Sequence, residues 1–247
     1  MTLLETRGLV KKYSGRSVVN EISITIAQRS IVGLLGRNGA GKTTTFRMIM
    51  GMIAPDNGSV IFQGQDITKL PMYKRARLGI GYLSQEPSIF QRLSVRDNLY
   101  AILETMAITS EERNRKAEML IKRFDLSEVA DSQGRFLSGG ERRKLEIARA
   151  MVTDPSLILL DEPFSGVDPI AVEDLQREIR RLVTSGVSVL VTDHNVERTL
   201  EVVDQAYIID HGKVIGAGSP AEIVRNQTVR KLYLGSTFDG DEFDKKY

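Results

Sequence analysis

A glycine-rich segment has the residue types and spacing that could hold a chain of phosphate groups. Residues 36–43 read GRNGAGKT and fit the pattern G-x-x-x-x-G-K-[ST] at every fixed position. In such a loop the glycines let successive backbone N–H groups turn onto phosphate oxygens, and the following helix adds the positive end of its dipole. The pattern predicts that Lys42 contacts the β and γ phosphates of a nucleotide and that Thr43 offers its hydroxyl to magnesium. The predicted nucleotide-binding residues of this segment are Gly36, Arg37, Asn38, Gly39, Ala40, Gly41, Lys42, Thr43 and Thr44.

Two adjacent acidic residues follow the apolar run at 157–160. Asp161 and Glu162 would be costly to leave dry and unpaired at the end of a buried strand. A magnesium ion and an attacking water would give both carboxylates a partner. We therefore assign Asp161 to the magnesium side of the site and Glu162 to polarising the water. Together with the phosphate loop, these residues indicate hydrolysis of ATP with Mg²⁺.

The elements that must position these groups form an α/β pattern. Short apolar runs, each followed by a helical pattern, fit strands of a parallel sheet that is covered on both faces. These runs are 31–35, 157–160 and 187–191. The alternation in Ile22–Ile26 predicts a half-buried antiparallel strand. Residues 86–155 are mostly helical, with one helix opened by Ser110–Glu112 and another following Ser138, so we predict a helical subdomain inserted into the α/β core.

The composition limits the function classes. The 247 residues are 41% apolar and 27% charged, which is ordinary for a globular protein, and we read 1–238 as one domain with a polar, flexible tail at 239–247. A net charge of +2 gives no reason to expect a nucleic acid partner. The sequence contains no cysteine, which excludes disulfides and thiolate metal sites. No apolar run approaches the roughly 20 residues that span a bilayer, and the N-terminus lacks a signal-like apolar region, so we expect membrane association only through partners.

The segment Leu137–Glu141, with the sequence LSGGE, resembles the signature of ATP-binding cassette (ABC) ATPases. Its serine and glutamate also fit an S-x-x-E capping box at the start of a helix at 141–151. The resemblance implies a P-loop NTPase (RecA-like) core with an N-terminal antiparallel β subdomain. It also implies a homodimer in which each ATP lies between one phosphate loop and the signature of the second copy. The signature residues that would contact this ATP are Ser138, Gly139, Gly140 and Glu141.

Other positions match the family one at a time. Tyr13 resembles the aromatic residue that stacks on adenine, and Gln85 resembles the glutamine that reaches magnesium and links the core to the helical subdomain. His194 resembles the switch histidine that contacts the γ-phosphate, which makes it a second catalytic candidate beside Glu162. Ser165–Asp168 resembles the loop that touches the other subunit, although an aspartate before a proline is also a good helix N-cap.

Within the family, the chain resembles the ATPase subunits of lipopolysaccharide exporters. The segments that carry this resemblance are Arg75–Val95, Gly139–Ala150, Asp161–Val172, Thr192–Val196 and Val229–Gly235. Arg37 and Ser84 depart from it, since proline is usual at both positions. The resemblance implies a cytoplasmic subunit, peripheral on the inner membrane, that drives transmembrane permease subunits. We expect the permease contact at Ile89 and Phe90, residues that could equally belong to the core.

Two alternatives differ in what the ATPase would drive. An amino-acid importer, particularly for branched-chain amino acids, would use the same fold and chemistry with a different permease. Two segments, Thr192–Val196 and Leu232–Gly235, favour the exporter over the importer. Nucleic-acid ATPases of this kind separate the phosphate loop from the signature by a long coiled coil, whereas Lys42 and Ser138 are 96 positions apart (138 − 42) without sustained heptads. Ribosome-acting cassettes typically carry two heads in one chain, and this chain has one.

Overall fold

The computed structural model describes residues 1–166 and 169–234, without the side chains of 169–171 and 234. In chain order the elements are β1 Thr2–Tyr13, β2 Arg16–Ile22, β3 Thr25–Ala27, β4 Ile31–Gly36, α1 Lys42–Met50, β5 Asn57–Phe62, β6 Gln65–Asp66, α2 Met72–Arg77, β7 Ile80–Leu83, α3 Val95–Leu103, α4 Ser110–Arg123, α5 Gly139–Met151, β8 Leu157–Asp161, α6 Pro169–Thr184, β9 Ser188–Thr192, α7 Val196–Leu200, β10 Gln205–Asp210, β11 Lys213–Gly218, α8 Pro220–Arg225 and α9 Gln227–Val229. Short 3-10 turns occupy Ser127–Val129 and Gly134–Phe136, and a π-helical turn occupies Arg230–Leu234.

A six-stranded sheet in the order β11-β10-β4-β9-β8-β7 forms the centre of the fold. All its neighbouring strands are parallel except the antiparallel pair β10–β11. Every residue of β4, β8 and β9 is buried, as predicted for strands covered on both faces. The α/β fold with a parallel sheet is therefore confirmed, whereas β7, β10 and β11 were not predicted.

Alternate residues of the central strands pack into two hydrophobic cores. Val32 and Leu34 of β4 join a cluster with α1 and the N-terminal strands. Ile31 and Leu35, from the opposite face of the same strand, join the larger cluster with α3, α4, α5 and α6, which is called the large core below. The period of two in a strand thus fixes which layer covers each face of the sheet.

The N-terminal sheet is antiparallel, with the order β2-β1-β5-β6 and β3 paired to β1. The single strand predicted at Ile22–Ile26 is wrong, because β2 ends at Ile22 and β3 begins at Thr25. The Thr6 hydroxyl lies in this gap, where it donates to the Ile22 carbonyl and accepts from the Ile24 N–H. The predicted alternation of burial still holds, since the isoleucines at 22, 24 and 26 are all buried.

Helices α3, α4 and α5 lie between β7 and β8, as an insertion into the α/β core. Two of them begin with complete capping boxes, Thr109 with Glu112 in α4 and Ser138 with Glu141 in α5. Helix α5 begins at Gly139 rather than at the predicted residue 141, because Ser138 is the N-cap and caps the helix from outside its first turn.

The C-terminal part of the described chain returns to the core sheet. Helices α8 and α9 pack on β10 and β11, and the π-helical turn that follows brings Tyr233 against the large core. The predicted tail at 239–247 and residues Val167 and Asp168 lie outside the described residues. Among the helices that the structure describes, none has both the length and the apolar character required to cross a bilayer.

Candidate nucleotide-binding site

The carboxyl ends of β4, β8 and β9 meet at one edge of the core sheet, where a cleft of about 560 Å³ opens. This is the position at which open α/β sheets bind ligands, and the volume is in the range of small-molecule sites. The cleft is lined by Val18, Asn38, Gly39, Gly41, Lys42, Thr43, Thr44, Gln85, Glu162 and His194. Nine of these ten residues, all except Val18, were predicted from the sequence. They come from positions 38 to 194, and the fold brings them into one cleft.

The phosphate loop joins β4 to α1 through backbone that only glycine can adopt at two points. A side chain at Gly36 would place its Cβ 2.2 Å from the Ile209 carbonyl oxygen, on the neighbouring strand β10. Gly41 has φ 108°, and a Cβ there would lie 2.6 Å from the Val18 carbonyl oxygen. Glycine is therefore required at both positions by the close approach of neighbouring backbone. Gly41 is also the N-cap of α1, so the loop ends directly at a helix N-terminus.

Lys42 is the first residue of α1, and its side chain folds back over the loop. Its ammonium group donates to the carbonyl oxygens of Gly36 at 2.7 Å and Arg37 at 3.1 Å. Burial lowers the pKa of Lys42, because desolvation disfavours the ammonium, while the nearby carboxylates of Glu162, Asp161 and Asp193 oppose that shift. A buried cation held by neutral carbonyls is well suited to accept an anionic ligand.

Glu162 directly follows β8 and has a left-handed backbone, with φ 48°. This conformation costs a non-glycine residue roughly 1–3 kcal/mol and tends to occur at functional sites. The Glu162 N–H donates to the Thr192 carbonyl at 2.7 Å, and the Ser165 N–H donates to the Glu162 carbonyl, so the turn is held from both sides. The side chain is 20% exposed and faces the cleft.

His194 lies beside Glu162 at the mouth of the cleft. Its Nδ1 is 3.5 Å from both Glu162 Oε2 and Asp193 Oδ1, and its side chain is 54% exposed. Asp193 is buried and accepts hydrogen bonds from the backbone N–H groups of Phe164 and Asn195. Burial raises the pKa of Asp193, and these two hydrogen bonds oppose the shift. The buried carboxylate therefore fixes the loop that carries the exposed histidine.

Asp161 ends β8 and lies behind the cleft rather than in its lining. It is buried, and its Oδ2 accepts a hydrogen bond of 3.3 Å from the Tyr82 hydroxyl. Burial raises the pKa of Asp161, and burial also raises the pKa of Tyr82 to about 12. The tyrosine thus remains a hydrogen-bond donor at neutral pH and orients the carboxylate.

The ABC transporter family matches residues 19–165, more than half of the chain, including the phosphate loop, the signature and both acidic residues. This chain belongs to the ABC transporter family. It is an ATP-binding cassette, the ATPase subunit of such a transporter.

Curated relatives cover almost the whole cassette. The lipopolysaccharide export system ATP-binding protein LptB of Acidithiobacillus ferridurans is 51% identical over 236 residues, which cover 96% of this chain and 98% of that protein. LptB of Escherichia coli strain K12 is 51% identical over 239 residues, which cover 96% of this chain and 99% of that protein.

Solved structures agree with the fold. The crystal structure of an ATP-binding cassette of an ABC transporter in its ADP conformation matches with a TM-score of 0.86 and 25% identity, covering 96% of this chain and 100% of that one. A nucleotide-free cassette from an ABC transporter matches with a TM-score of 0.85 and 26% identity over the same shares.

Several predicted residues do not line the cleft: Gly36, Arg37 and Ala40 of the loop, Asp161 behind it, and also Tyr13 and the four signature residues. Tyr13 ends β1 opposite Arg16 and is 47% exposed, on the strand that pairs with the one carrying Val18. The signature residues begin α5, and Ser138 and Gly139 are exposed there. Within one chain, the signature and the phosphate loop are therefore separate surfaces.

The two residues expected to contact a permease differ in exposure. Ile89 is 8% exposed and packs in the large core, where its Cδ1 would lie 3.0 Å from a Cβ on Gly134. The expectation that Ile89 meets a partner is corrected, since its side chain is already enclosed. Phe90 is 48% exposed, and the guanidinium of Arg149 lies over its ring at 4.6 Å from the centroid.

Sequence reasoning missed three residues around the site. Val18 lines the cleft from β2, and nothing in its local pattern distinguishes it from other strand residues. Asp193 could have been found, because it is a buried-type acid at the end of an apolar strand, like Asp161. Tyr82 lies on β7, a strand that was not predicted.

Proposed function

We propose that the cassette binds two Mg-ATP between two copies of itself and drives a permease for lipopolysaccharide export. One observation carries the nucleotide chemistry: Lys42, Glu162 and His194 converge on the same cleft at the end of the core sheet. The proposal assigns the phosphate chain to this cleft and the energy of its hydrolysis to a membrane partner on the cytoplasmic face of the inner membrane.

Phosphate binding would use the loop and its helix. The backbone N–H groups of 38–43 would contact phosphate oxygens, and the Lys42 ammonium would exchange its carbonyl partners for the β and γ phosphates. Tyr13, half-exposed beside the cleft, would offer its ring to the adenine. Stacking of a base on an aromatic ring is worth about 1–3 kcal/mol, so Tyr13 would add affinity rather than catalysis.

The site also fits a magnesium ion. Thr43 and Gln85 line the cleft with a hydroxyl and an amide oxygen, and the carboxylate of Asp161 lies behind them. Oxygen donors of this kind are those that Mg²⁺ prefers, and it commonly takes few protein ligands because phosphates and water complete its shell. Magnesium, when bound, would neutralise charge on the phosphates.

Hydrolysis would depend on Glu162 and His194. The Glu162 carboxylate would accept a hydrogen bond from the attacking water and orient it toward the γ-phosphorus. His194, whose Nδ1 is 3.5 Å from that carboxylate, would contact the γ-phosphate and keep the glutamate side chain in position. The left-handed backbone of Glu162, at the edge of the cleft, agrees with this role, because such conformations are frequent at active sites.

The dimer would complete the second side of each nucleotide. Ser138 and the glycines after it form an exposed helix N-terminus, which attracts anionic groups. ATP would then bind the closed dimer more tightly than the open one, and this difference in affinity would close it. Loss of the γ-phosphate would remove the contact with the opposite signature and let the two copies part.

The cargo and partner are inferred from the relatives and one surface. The 51% identity to proteins named for lipopolysaccharide export favours that cargo over amino-acid import. Phe90, which is exposed, follows Gln85 by five positions and lies under the guanidinium of Arg149, is the proposed contact for a permease. A link from Phe90 to Gln85 would connect permease movement to the nucleotide cleft.

Transport by the purified complex tests this proposal. The tagged chain would be purified with its membrane partners, reconstituted in proteoliposomes, and supplied with labelled lipopolysaccharide and ATP. We expect ATP-dependent release of lipopolysaccharide from the vesicles, and none with Glu162→Gln at equal protein levels. A complex that moves branched-chain amino acids but not lipopolysaccharide would refute the exporter assignment and leave the ATPase assignment in place.

A further inference from the structure

Strands β4 and β9 separate at the point where the phosphate loop begins. Their ladder ends at the pair Gly33↔Val191, three residues before β4 itself ends at Gly36. Buried backbone groups beyond that point need other partners, because an unpaired N–H or C=O in the interior is costly. Side chains supply them: the Thr192 hydroxyl donates to the Leu34 carbonyl at 2.7 Å.

The N–H of Gly36 is satisfied by Tyr233, a residue almost 200 positions away. It donates to the Tyr233 hydroxyl oxygen at 3.0 Å. Burial raises the pKa of Tyr233 to about 12, so the phenol stays protonated at neutral pH. The carbonyl of the same glycine accepts from the Lys42 ammonium. Gly36 is thus held on one side by the C-terminal segment and on the other by the phosphate-binding lysine.

The C-terminal segment is anchored well enough to act as a support. Val229 is fully buried and lies against Gly216 of β11, where a Cβ would be 2.7 Å from the valine side chain. Asn226 caps the short helix by accepting from the Val229 N–H. Tyr233 itself packs against the large hydrophobic core, within the π-helical turn Arg230–Leu234.

We propose that Tyr233 is a positioning residue for the phosphate loop, which it holds by accepting the Gly36 N–H at the end of β4. The hydroxyl fixes the first peptide of the loop before nucleotide arrives, and a loop held in its binding conformation binds more tightly because less freedom is lost. The inference rests on the phosphate-loop assignment made above and extends the site to a segment outside the cleft lining.

Titration of the full chain with ADP tests the role of the hydroxyl. Tyr233→Phe keeps the ring and removes only the acceptor, and we expect ADP to bind about five-fold more weakly, the effect of losing one buried hydrogen bond. Tyr207→Phe is the matched control, because its hydroxyl also accepts a backbone N–H, from Thr25 at 3.1 Å, in a different part of the fold. We expect Tyr207→Phe to bind ADP like the unsubstituted chain.

The outcomes separate this inference from the assignment on which it rests. Unchanged ADP affinity in Tyr233→Phe, or an equal loss in Tyr207→Phe, would overturn the positioning role. Lys42→Ala binding ADP as well as the unsubstituted chain would overturn the phosphate-loop assignment and the inference with it. Amide exchange gives a reading without any variant: the Gly36 N–H should exchange slowly in the unsubstituted chain, and rapid exchange there would contradict the hydrogen bond.

Discussion

The phosphate-loop side and the signature side of this cassette satisfy their polar groups in different ways. At the phosphate loop, the Lys42 ammonium donates to two carbonyls of its own loop, but it also lies near three carboxylates that are distant in sequence, and Glu162 lies beside the equally distant His194. At the signature, Ser138 and Glu141 satisfy each other within one helical turn, through a capping box. Lys42 is buried beneath the cleft, whereas Ser138 is exposed.

This difference indicates which half of the site is complete within one chain. The cleft already carries the desolvated ammonium of Lys42, a cost that an anionic ligand can offset. The signature is a stable helix start that requires nothing further from its own chain. It is therefore suited to meet a nucleotide held by another copy. Substitutions in the cleft should therefore change the rate of hydrolysis or the affinity for nucleotide, whereas substitutions in the signature should change dimerisation.

The largest effect is expected at Glu162. Glu162→Gln removes the carboxylate that accepts the proton of water, and general-base groups contribute about 10²–10⁴-fold to rate. ATP should still bind, so the variant should accumulate as an ATP-dependent dimer. Phosphate release and light scattering measure the two properties. A monomeric variant with normal turnover would contradict both the catalytic assignment and the dimer.

Lys42→Met should lose nucleotide affinity without losing stability. A charge-assisted hydrogen bond is worth about 1.5–3 kcal/mol, so ATP should bind roughly 10- to 100-fold more weakly. The pKa of Lys42 is lowered by burial, so the ammonium destabilises the nucleotide-free fold at any pH below that pKa, and the cost disappears as the pH rises toward 10.5.

Thermal melting without nucleotide checks this second effect. The Lys42→Met variant should melt no lower than the unsubstituted chain at pH 7, and the two should converge as the pH approaches 10. A variant that melts well below the unsubstituted chain at pH 7 would show that the lysine stabilises the fold rather than only binding its ligand.

Phe90→Ala should weaken binding of the membrane partner about ten-fold, an effect typical of an aromatic contact residue. Tyr73→Ala is the control, since Tyr73 is also an exposed aromatic residue beside an arginine, on α2. Pull-down of the membrane subunits with each variant measures the contact. Equal retention of the partner by both variants would remove Phe90 from the interface.

The smallest effect is expected at Ser138, where a second capping residue separates a role in dimerisation from a role in capping the helix. Ser138→Ala and Thr109→Ala each remove the side chain of a complete capping box, and each should cost about 1 kcal/mol of stability. Only Ser138→Ala should also weaken ATP-dependent dimerisation, by about five-fold. If the two variants lower dimerisation equally, the signature serine acts through helix stability alone.

Much of the site could be predicted because its chemistry requires particular residue types at short, fixed intervals along the chain. The phosphate loop requires glycines, a lysine and a hydroxyl at fixed intervals, and those intervals can be read directly from 36–43. The paired acids after an apolar run were equally visible. In contrast, Val18 and Tyr82 reach the site from strands whose local patterns contain no chemical signal. The strand predicted at Ile22–Ile26 had the correct burial but the wrong continuity, because the side chain of Thr6 replaces the ladder there.

By itself, the sequence determined which residues could bind phosphate, which acids could act on it, and that parallel strands would carry them. The tertiary structure alone decided that the cleft is shared by Lys42, Glu162 and His194, that Ile89 is enclosed, and that Tyr233 supports Gly36. The reason is physical. Backbone geometry and residue periodicity act over a few positions, whereas burial and hydrogen bonding between distant segments exist only once the chain has closed around its core.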